Sequence, residues 1–328
     1  MSQKAILVVA LNSRGQASPS TWEQLSAGRV LADALKLPLV ACSPGGTAEN
    51  ARELVERGAD RALWTAHPSL KDFNDELCCQ AVLQAARQAE AAWVLLPGSV
   101  AGRSLACRLA VKLGAGLATD VSAMDPAAGT VKRGVYGGSL QAEIEFKSEV
   151  RVLTLQAMVF PPAPRQAGRA GEVAELPFSP AAARTEVVSF QAEEAGEIDL
   201  GGAERIVSGG RGVGGAQGFA AVRDLAHALG AAVGASRAAV DSGWIPYRHQ
   251  VGLTGRTVRP KLYVACGISG QIQHLAGMSN AGTIVAINTD PDCPLMQQAS
   301  ISVVGDMFEL IPLVVAEVKK RKGTPVAA

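Results

Sequence analysis

The densest chemistry in the sequence is a run of glycines, Ser208-Gly209-Gly210-Arg211-Gly212-Val213-Gly214-Gly215. It follows a strand-like segment and precedes a helical one. Gly210, Gly212 and Gly215 satisfy the spacing G-x-G-x-x-G, in which glycines let main-chain N–H groups approach a pyrophosphate at a helix N-terminus. A tight strand-to-helix turn with no ligand fits the same residues. The acid that would hold the ribose of NAD, expected about 20 residues on, is absent. Ser236 and the cation Arg237 stand there instead. This weakens an NAD reading and favours something negative over that strand end. A second glycine turn, Gly267-Ile268-Ser269-Gly270, opens a segment that carries His274. Its N–H groups and the Ser269 hydroxyl can hold an anion or simply begin a capped helix. Asn288 and Asp306 close two further strand-like segments; Asn288 suits a turn equally well, and Asp306 an N-cap. Each feature alone is ambiguous. Together, five strand ends deliver Arg211, Ser236 with Arg237, Ser269, Asn288 and Asp306, and ligands of open α/β sheets bind outside carboxyl strand ends. That convergence points to a nucleotide-sized ligand. The loop 241–259 adds Trp244, Tyr247, His249, Gln250 and Thr254, and is long enough to cover a planar ring system. The residues thus reach a large dinucleotide with a cation near its reactive part, and stop short of a reaction.

Positioning these groups takes a parallel sheet. The second half alternates strands at 204–208, 231–234, 261–266, 283–287 and 301–304 with helices near 218–229, 270–276 and 306–322, and leaves room for a short helix after Pro294. The first 115 residues alternate in the same way. Strands are expected at 5–11, 37–41, 62–65 and 93–97. Helices are expected from a capping box at Ser20-Thr21-Trp22-Glu23 to about 36, then at 48–58, 73–92 and 102–114. Such alternation implies a sheet covered on both faces. Segments 130–135, 140–146 and 151–159 are β-rich, with Gly137-Gly138 placed to turn a hairpin, and extend the first sheet. Residues 160–183 hold Pro161, Pro162, Pro164, Pro177 and Pro180 and no periodicity, which predicts an extended linker. Segment 185–190 follows as the last strand of the first half, and the boundary is expected near 196–203. The expected fold is therefore α/β, two doubly wound parallel-sheet domains, the first with an added β-rich segment: a scaffold domain at 1–199 and a ligand domain at 200–328.

Composition closes off other classes. Hydrophobic residues make up 48% of the 328, which excludes a disordered chain. Lys+Arg 31 against Asp+Glu 30 leaves a net charge of +1, whereas a phosphate-tracking protein carries a basic excess, so no nucleic-acid partner is expected. No stretch approaches the roughly 18 apolar residues of a membrane span, so no membrane insertion is expected. The apolar N-terminal run is short and reads as a buried strand rather than a signal peptide. The six cysteines form no CxxC, and His67, His227, His249 and His274 are scattered. Reduced thiols in a cytoplasmic protein, without a metal site, are the expectation.

Several stretches also resemble one known family, the α subunit of electron transfer flavoproteins. They are Val233-Gly234-Ala235-Ser236-Arg237-Ala238-Ala239-Val240-Asp241, His249-Gln250-Val251-Gly252-Leu253-Thr254-Gly255, the run from Leu262 to Met278 (LYVACGISGQIQHLAGM), Thr283 to Asp290 (TIVAINTD), and Val304-Gly305-Asp306-Met307-Phe308. The first half agrees more loosely, through GRSLACRL at 102–109 and Thr119-Asp120-Val121. The resemblance implies FAD bound in the second domain, a β subunit paired with this chain against the first, flavin dehydrogenases such as acyl-CoA dehydrogenases as electron donors and a quinone oxidoreductase as acceptor. It implies an electron carrier working through an anionic semiquinone, not a stand-alone enzyme. It further implies that Arg211, Ser236, Ser269, Asn288 and Asp306 lie along the pyrophosphate and adenosine. Arg237, Gln250, Thr254 and His274 would surround the isoalloxazine, with Arg237 and His274 as the redox-tuning pair. Val251, Gly252, Leu253, Gly270, Gln271, Ile272, Gln273 and Met307 complete the implied contact set. Leu253 departs from the glutamine of many members, which removes one hydrogen bond near the flavin. An electron-bifurcating variant of the same flavoprotein and an NAD-dependent dehydrogenase on a Rossmann domain are the alternatives.

Overall fold

The computed structural model describes residues 4–13, 16–136, 140–189 and 200–322. The chain divides into two compact units, Met1–Ala192 and Glu193–Ala328. The expected break at 199/200 falls beside residues 190–199, which lie outside the described residues, as does the Gly137-Gly138 turn.

In the first unit the elements run β1 (Ala5–Val9), β2 (Asn12–Ser13), β3 (Gln16–Ala17), α1 (Ser20–Leu35), β4 (Leu39–Pro44), α2 (Ala48–Glu56), β5 (Arg61–Thr65), α3 (Asp75–Gln88), β6 (Ala91–Pro97) and α4 (Val100–Leu113). Then come β7 (Gly116–Asp125), β8 (Thr130–Val135), β9 (Leu140–Glu145), β10 (Arg151–Leu155) and β11 (Glu172–Glu175). Nine strands form one sheet in the order β11-β5-β4-β1-β6-β10-β7-β8-β9. It is parallel from β11 to β7, and β8 and β9 add on antiparallel. Every residue of β1, Ala-Ile-Leu-Val-Val, is buried. A strand with helices on both faces must be apolar on both, which is why it reads as an unbroken apolar run. Leu7, Val9, Val94 and Leu96 face a core shared with Val82 of α3 and Leu105 and Leu109 of α4. Their neighbours Ile6, Val8 and Leu95 face the other core, with Leu25 and Leu31 of α1 and Leu54 of α2.

Three local expectations are corrected here. The capping box at Ser20 does not form: α1 has Pro19 at its N-cap with no side-chain cap, and Glu23 Oε2 instead accepts from the Met158 N–H at 2.6 Å. The box occurs at α2, where Thr47 and Asn50 cap each other's main chain. The proline-rich segment is not a free linker but a strap along the first unit. The Ala163 N–H donates to the Trp22 carbonyl at 2.9 Å and the Gln166 N–H to the Glu56 carbonyl at 2.8 Å. Arg169 bonds Asp60 at 3.0 Å and the carbonyls of Val55 and Ala59. The strap then enters the sheet as edge strand β11, and residues 185–189 form no strand. The long strand β7 was also not expected, because its buried positions follow no alternation.

The second unit runs β12 (Arg205–Gly209), α5 (Phe219–Leu229), β13 (Ala232–Ala235), α6 (Arg237–Asp241), β14 (Leu262–Cys266), α7 (Ile272–Leu275), β15 (Thr283–Asn288), α8 (Pro294–Gln298), β16 (Ile301–Val304) and α9 (Met307–Arg321). Its five strands are all parallel, in the order β13-β12-β14-β15-β16. One face packs Val207, Val233 and Val264 against Phe219 and Val222 of α5 and Met307 and Ile311 of α9. The other packs Ile206, Tyr263 and Ile284 against Leu275 and Leu295. Because the chain steps from β12 outward to β13 and then returns to the other side with β14, strand order reverses between β12 and β14. In doubly wound sheets that reversal opens a crevice at the carboxyl ends. Among the described residues no helix is long and apolar enough to cross a membrane.

Candidate functional site

Both glycine turns meet at this crevice. The Gly210 N–H donates to the Cys266 carbonyl at 2.9 Å, and the Gly212 N–H to the Gly267 carbonyl at 3.0 Å. A Cβ on Gly212 would lie 2.8 Å from Gly267 Cα, and one on Gly210 would lie 2.3 Å from the Gly267 oxygen. Two glycines of the G-x-G-x-x-G pattern are thus accounted for by one loop packing against the other. The remainder behaves differently: Gly214 has φ +75°, and a Cβ at Gly214 or Gly215 would meet nothing within 4 Å. That half of the loop is open backbone. A 3₁₀ turn, Arg211–Val213, precedes it and α5 follows it, the latter with Gly218 at its N-cap and no side-chain cap. Arg211 is exposed.

From β13 the chain delivers Ser236 and Arg237. Ser236 caps α6, its hydroxyl accepting from the Ala239 N–H at 3.4 Å. Arg237 is mostly exposed and its Nε lies 3.1 Å from Asp241 Oδ2. The following loop is tied down by its own main chain. The Val251 N–H donates to the Ala235 carbonyl at 2.9 Å, the Arg256 N–H to the Gln250 carbonyl at 2.7 Å, and the Leu253 N–H to the Gln273 carbonyl at 2.7 Å. Gly252 has φ +146°, and a Cβ there would meet the Gln273 oxygen at 2.9 Å, so only glycine lets the loop lie against the α7 turn. Gln250 is buried and spends its amide on Thr254 Oγ1 at 3.0 Å. Leu253 and Thr254 are left exposed beside Ile272, while the Tyr247 hydroxyl donates to the Thr254 carbonyl at 2.5 Å.

β14 delivers Ser269, Gly270, Gln271, Ile272 and Gln273, of which only Gly270 is buried. Gly270 has φ +85°, and a Cβ there would strike Leu295 N at 2.5 Å. One turn on, the His274 ring is only 6% exposed. Its Nε2 lies 3.0 Å from the Tyr263 hydroxyl, and among the described residues its Nδ1 has no partner that meets hydrogen-bond geometry. Burial pushes its pKa down to about 4, with the nearby Val251 carbonyl opposing in part, so the ring is neutral at neutral pH. Asn288 acts as a bracket at the end of β15. Its Nδ2 donates to the Ile268 carbonyl at 3.1 Å, and its Oδ1 accepts from the Asp290 N–H at 3.2 Å. Asp306 caps α9 by accepting from the Phe308 N–H at 2.8 Å. Met307 and Val251 put their side chains into the two cores, leaving only main chain to face a ligand. Tyr263 and Ser208, buried beneath the site, carry polar atoms that sequence reading passes over because both sit inside apolar strands.

Residues 6–181 match the electron transfer flavoprotein domain, and residues 199–279 match the electron transfer flavoprotein FAD-binding domain. The chain belongs to the electron transfer flavoprotein α-subunit family. The electron transfer flavoprotein subunit alpha of Thermoanaerobacterium thermosaccharolyticum is 40% identical over 326 residues, covering 97% of this chain and 99% of that protein. That of Mycobacterium leprae is 38% identical, covering 97% and 99%. The protein FixB of Azotobacter vinelandii is 37% identical, covering 95% and 90%. Family membership makes FAD the cofactor of the second unit and displaces the dehydrogenase alternative. The residues present fit that group. The open backbone at Gly214-Gly215 suits phosphate. Exposed Arg237 suits a ring that gains negative charge, and His274 Nδ1 is a buried polar atom with no hydrogen-bond partner among the described residues.

Proposed function

We propose that this chain carries electrons between flavin dehydrogenases and a quinone oxidoreductase as the FAD-holding half of a heterodimer with an electron transfer flavoprotein β subunit. The observation that carries this reading is the convergence at the β12/β14 crevice of open glycine backbone, an exposed arginine and a buried imidazole with a spare nitrogen, all inside the segment matched as FAD-binding. Bound FAD supplies one- and two-electron redox chemistry.

The rest is done by this chain. Arg211, Ser236, Ser269 and the Gly214-Gly215 backbone hold the pyrophosphate end; Asn288 and Asp306, already engaged as bracket and cap, fix the strand ends from which main chain reaches the adenosine. Arg237 supplies a charge that does not titrate. His274 supplies a neutral donor. The loop from Gln250 to Thr254 and the turn from Gly270 to Gln273 shape the ring pocket, with Leu253 and Ile272 as apolar rim that excludes water. A neutral histidine with a pKa of about 4 is a poor general base at neutral pH, which favours a carrier over an enzyme with its own turnover. All six cysteines are free thiols, five of them buried, which suits a reducing compartment such as the cytoplasm.

Co-expression with a β subunit tests the reading. The purified complex is expected to be yellow and to release FAD on denaturation; a colourless complex contradicts it.

A further inference from the structure

The loop 250–258 lies against the turn that follows α7, and two buried glycines, Gly252 and Gly277, make the contact. A Cβ on Gly277 would lie 2.5 Å from the Gly252 nitrogen and 3.0 Å from its carbonyl carbon, and closer still to its Cα. These are main-chain atoms, so no flexible side chain can swing aside to make room. On the Gly252 side glycine is also a conformational need, because φ there is +146°. On the Gly277 side it is not. Gly277 has no positive φ, and its N–H continues the turn by donating to the His274 carbonyl at 3.0 Å. Where the backbone suits it, alanine in place of glycine stabilises a protein by narrowing the unfolded ensemble. What glycine supplies at 277 is therefore space, and the loop is what fills it.

Hydrogen bonds fasten the contact on both sides. The Leu253 N–H donates to the Gln273 carbonyl at 2.7 Å, and the Val258 N–H to the Gly277 carbonyl at 2.7 Å. Val251 and Val258 of the loop share a core with Leu275 and Met278 of the α7 side. A methyl group at 277 would lift the loop off this seat or drive the α7 turn into that core. All of these bonds lie within the chain, and none of them needs a ligand to complete it.

We propose that Gly277 is a positioning residue: its missing side chain lets the loop 250–258 seat on the α7 turn, and the seat fixes the spacing between residues 250–254 and residues 270–273 before a ligand arrives. That this spacing is the width of the ring pocket rests on the FAD reading; the seat itself does not. A pocket whose walls are already fastened loses none of its binding free energy to ordering them.

The test uses the α chain co-expressed with its β subunit and follows amide hydrogen exchange by mass spectrometry, with FAD bound and after FAD removal. In the wild-type complex the segment 251–258 is expected to exchange slowly in both states, because its bonds do not depend on the cofactor. In Gly277→Ala with FAD removed, that segment is expected to exchange several-fold faster while β12 and β14 stay protected. The FAD dissociation constant of the variant is expected to rise about tenfold, and the visible band of its flavin to shift at saturating FAD. Gly202→Ala, where a Cβ would meet nothing within 4 Å, is expected to change none of these. Fast exchange of 251–258 in the wild-type complex without FAD overturns the proposal with no variant needed, so a Gly277→Ala chain that fails to fold leaves the test decisive. Unchanged exchange, affinity and flavin band in Gly277→Ala overturn it, and so does an equal loss of affinity in Gly202→Ala. A complex that purifies without FAD overturns the FAD reading alone, and the exchange of 251–258 still decides the role of Gly277.

Discussion

In the proposed site two residues set the electrostatics, and they do so differently. Arg237 is exposed, paired among the described residues with Asp241 on its own helix, and in the proposed site exchanges that weak surface pair for a negatively charged ring. A hydrogen bond to a charged group is worth about 1.5–3 kcal/mol, and for one electron about 1.4 kcal/mol corresponds to about 59 mV. Arg237→Ala is therefore expected to lower the first reduction potential of the complex by on the order of 60 mV and to loosen FAD; an unchanged potential in a spectroelectrochemical titration removes Arg237 from that role. His274 works by burial. Its pKa drops from the ordinary 6.5 to about 4 on folding, so between those values the unfolded chain binds more protons than the folded one. The stabilisation is full above pH 6.5 and is lost as pH falls towards 4, about 3 kcal/mol in all. His274→Gln should flatten the pH dependence of the melting temperature in that window, and equal slopes for both proteins would contradict this. Arg237 and His274 were legible as types at strand ends. Tyr263 was not, because a tyrosine in an apolar strand reads as core until its hydroxyl is seen to meet an imidazole.

At the scale of elements, alternation of apolar runs with amphipathic helices located most of the parallel strands, since buried strands and their covering helices differ in period. The α7 helix is shorter than expected, at Ile272–Leu275, because Gly270 takes a positive φ and Gln271 a non-helical ψ of 147° before the helix can start. The strap departs from the linker expectation for a physical reason. Prolines and missing periodicity describe a segment without its own helix or core face, and say nothing about arginines that reach back to the sheet. Asp60 shows what those arginines do. Burial raises its pKa, but the Leu39 N–H and the guanidiniums of Arg29 and Arg169 outweigh that and hold it below the ordinary carboxylate range. The anchor is present above that range and is lost as acid protonates the carboxylate. Arg169→Ala should cost about 2 kcal/mol and expose the chain around 160–175 to protease. A variant with wild-type denaturation midpoint and cleavage pattern would show that the strap is held without the Arg169 side chain.

For the whole molecule, one fold principle is used twice with different results. Both units are doubly wound, yet the second gathers glycine turns and polar residues at its carboxyl edge, while the first carries a β-rich extension and a strap. The division of labour was visible in where glycine, serine and arginine follow strands. It was not visible that Gly210 and Gly212 serve loop-to-loop packing, a role that only the meeting of the two turns reveals. The family match points to a subunit that works in a complex, and the near-neutral charge is compatible with that without arguing for it. The most direct measurement is the flavin content of that complex, co-expressed and purified, followed by stepwise reduction. The account predicts one FAD bound per α chain, accepting electrons one at a time from a flavin dehydrogenase. A complex that folds and assembles but holds no flavin, or holds it only in the β subunit, would contradict it.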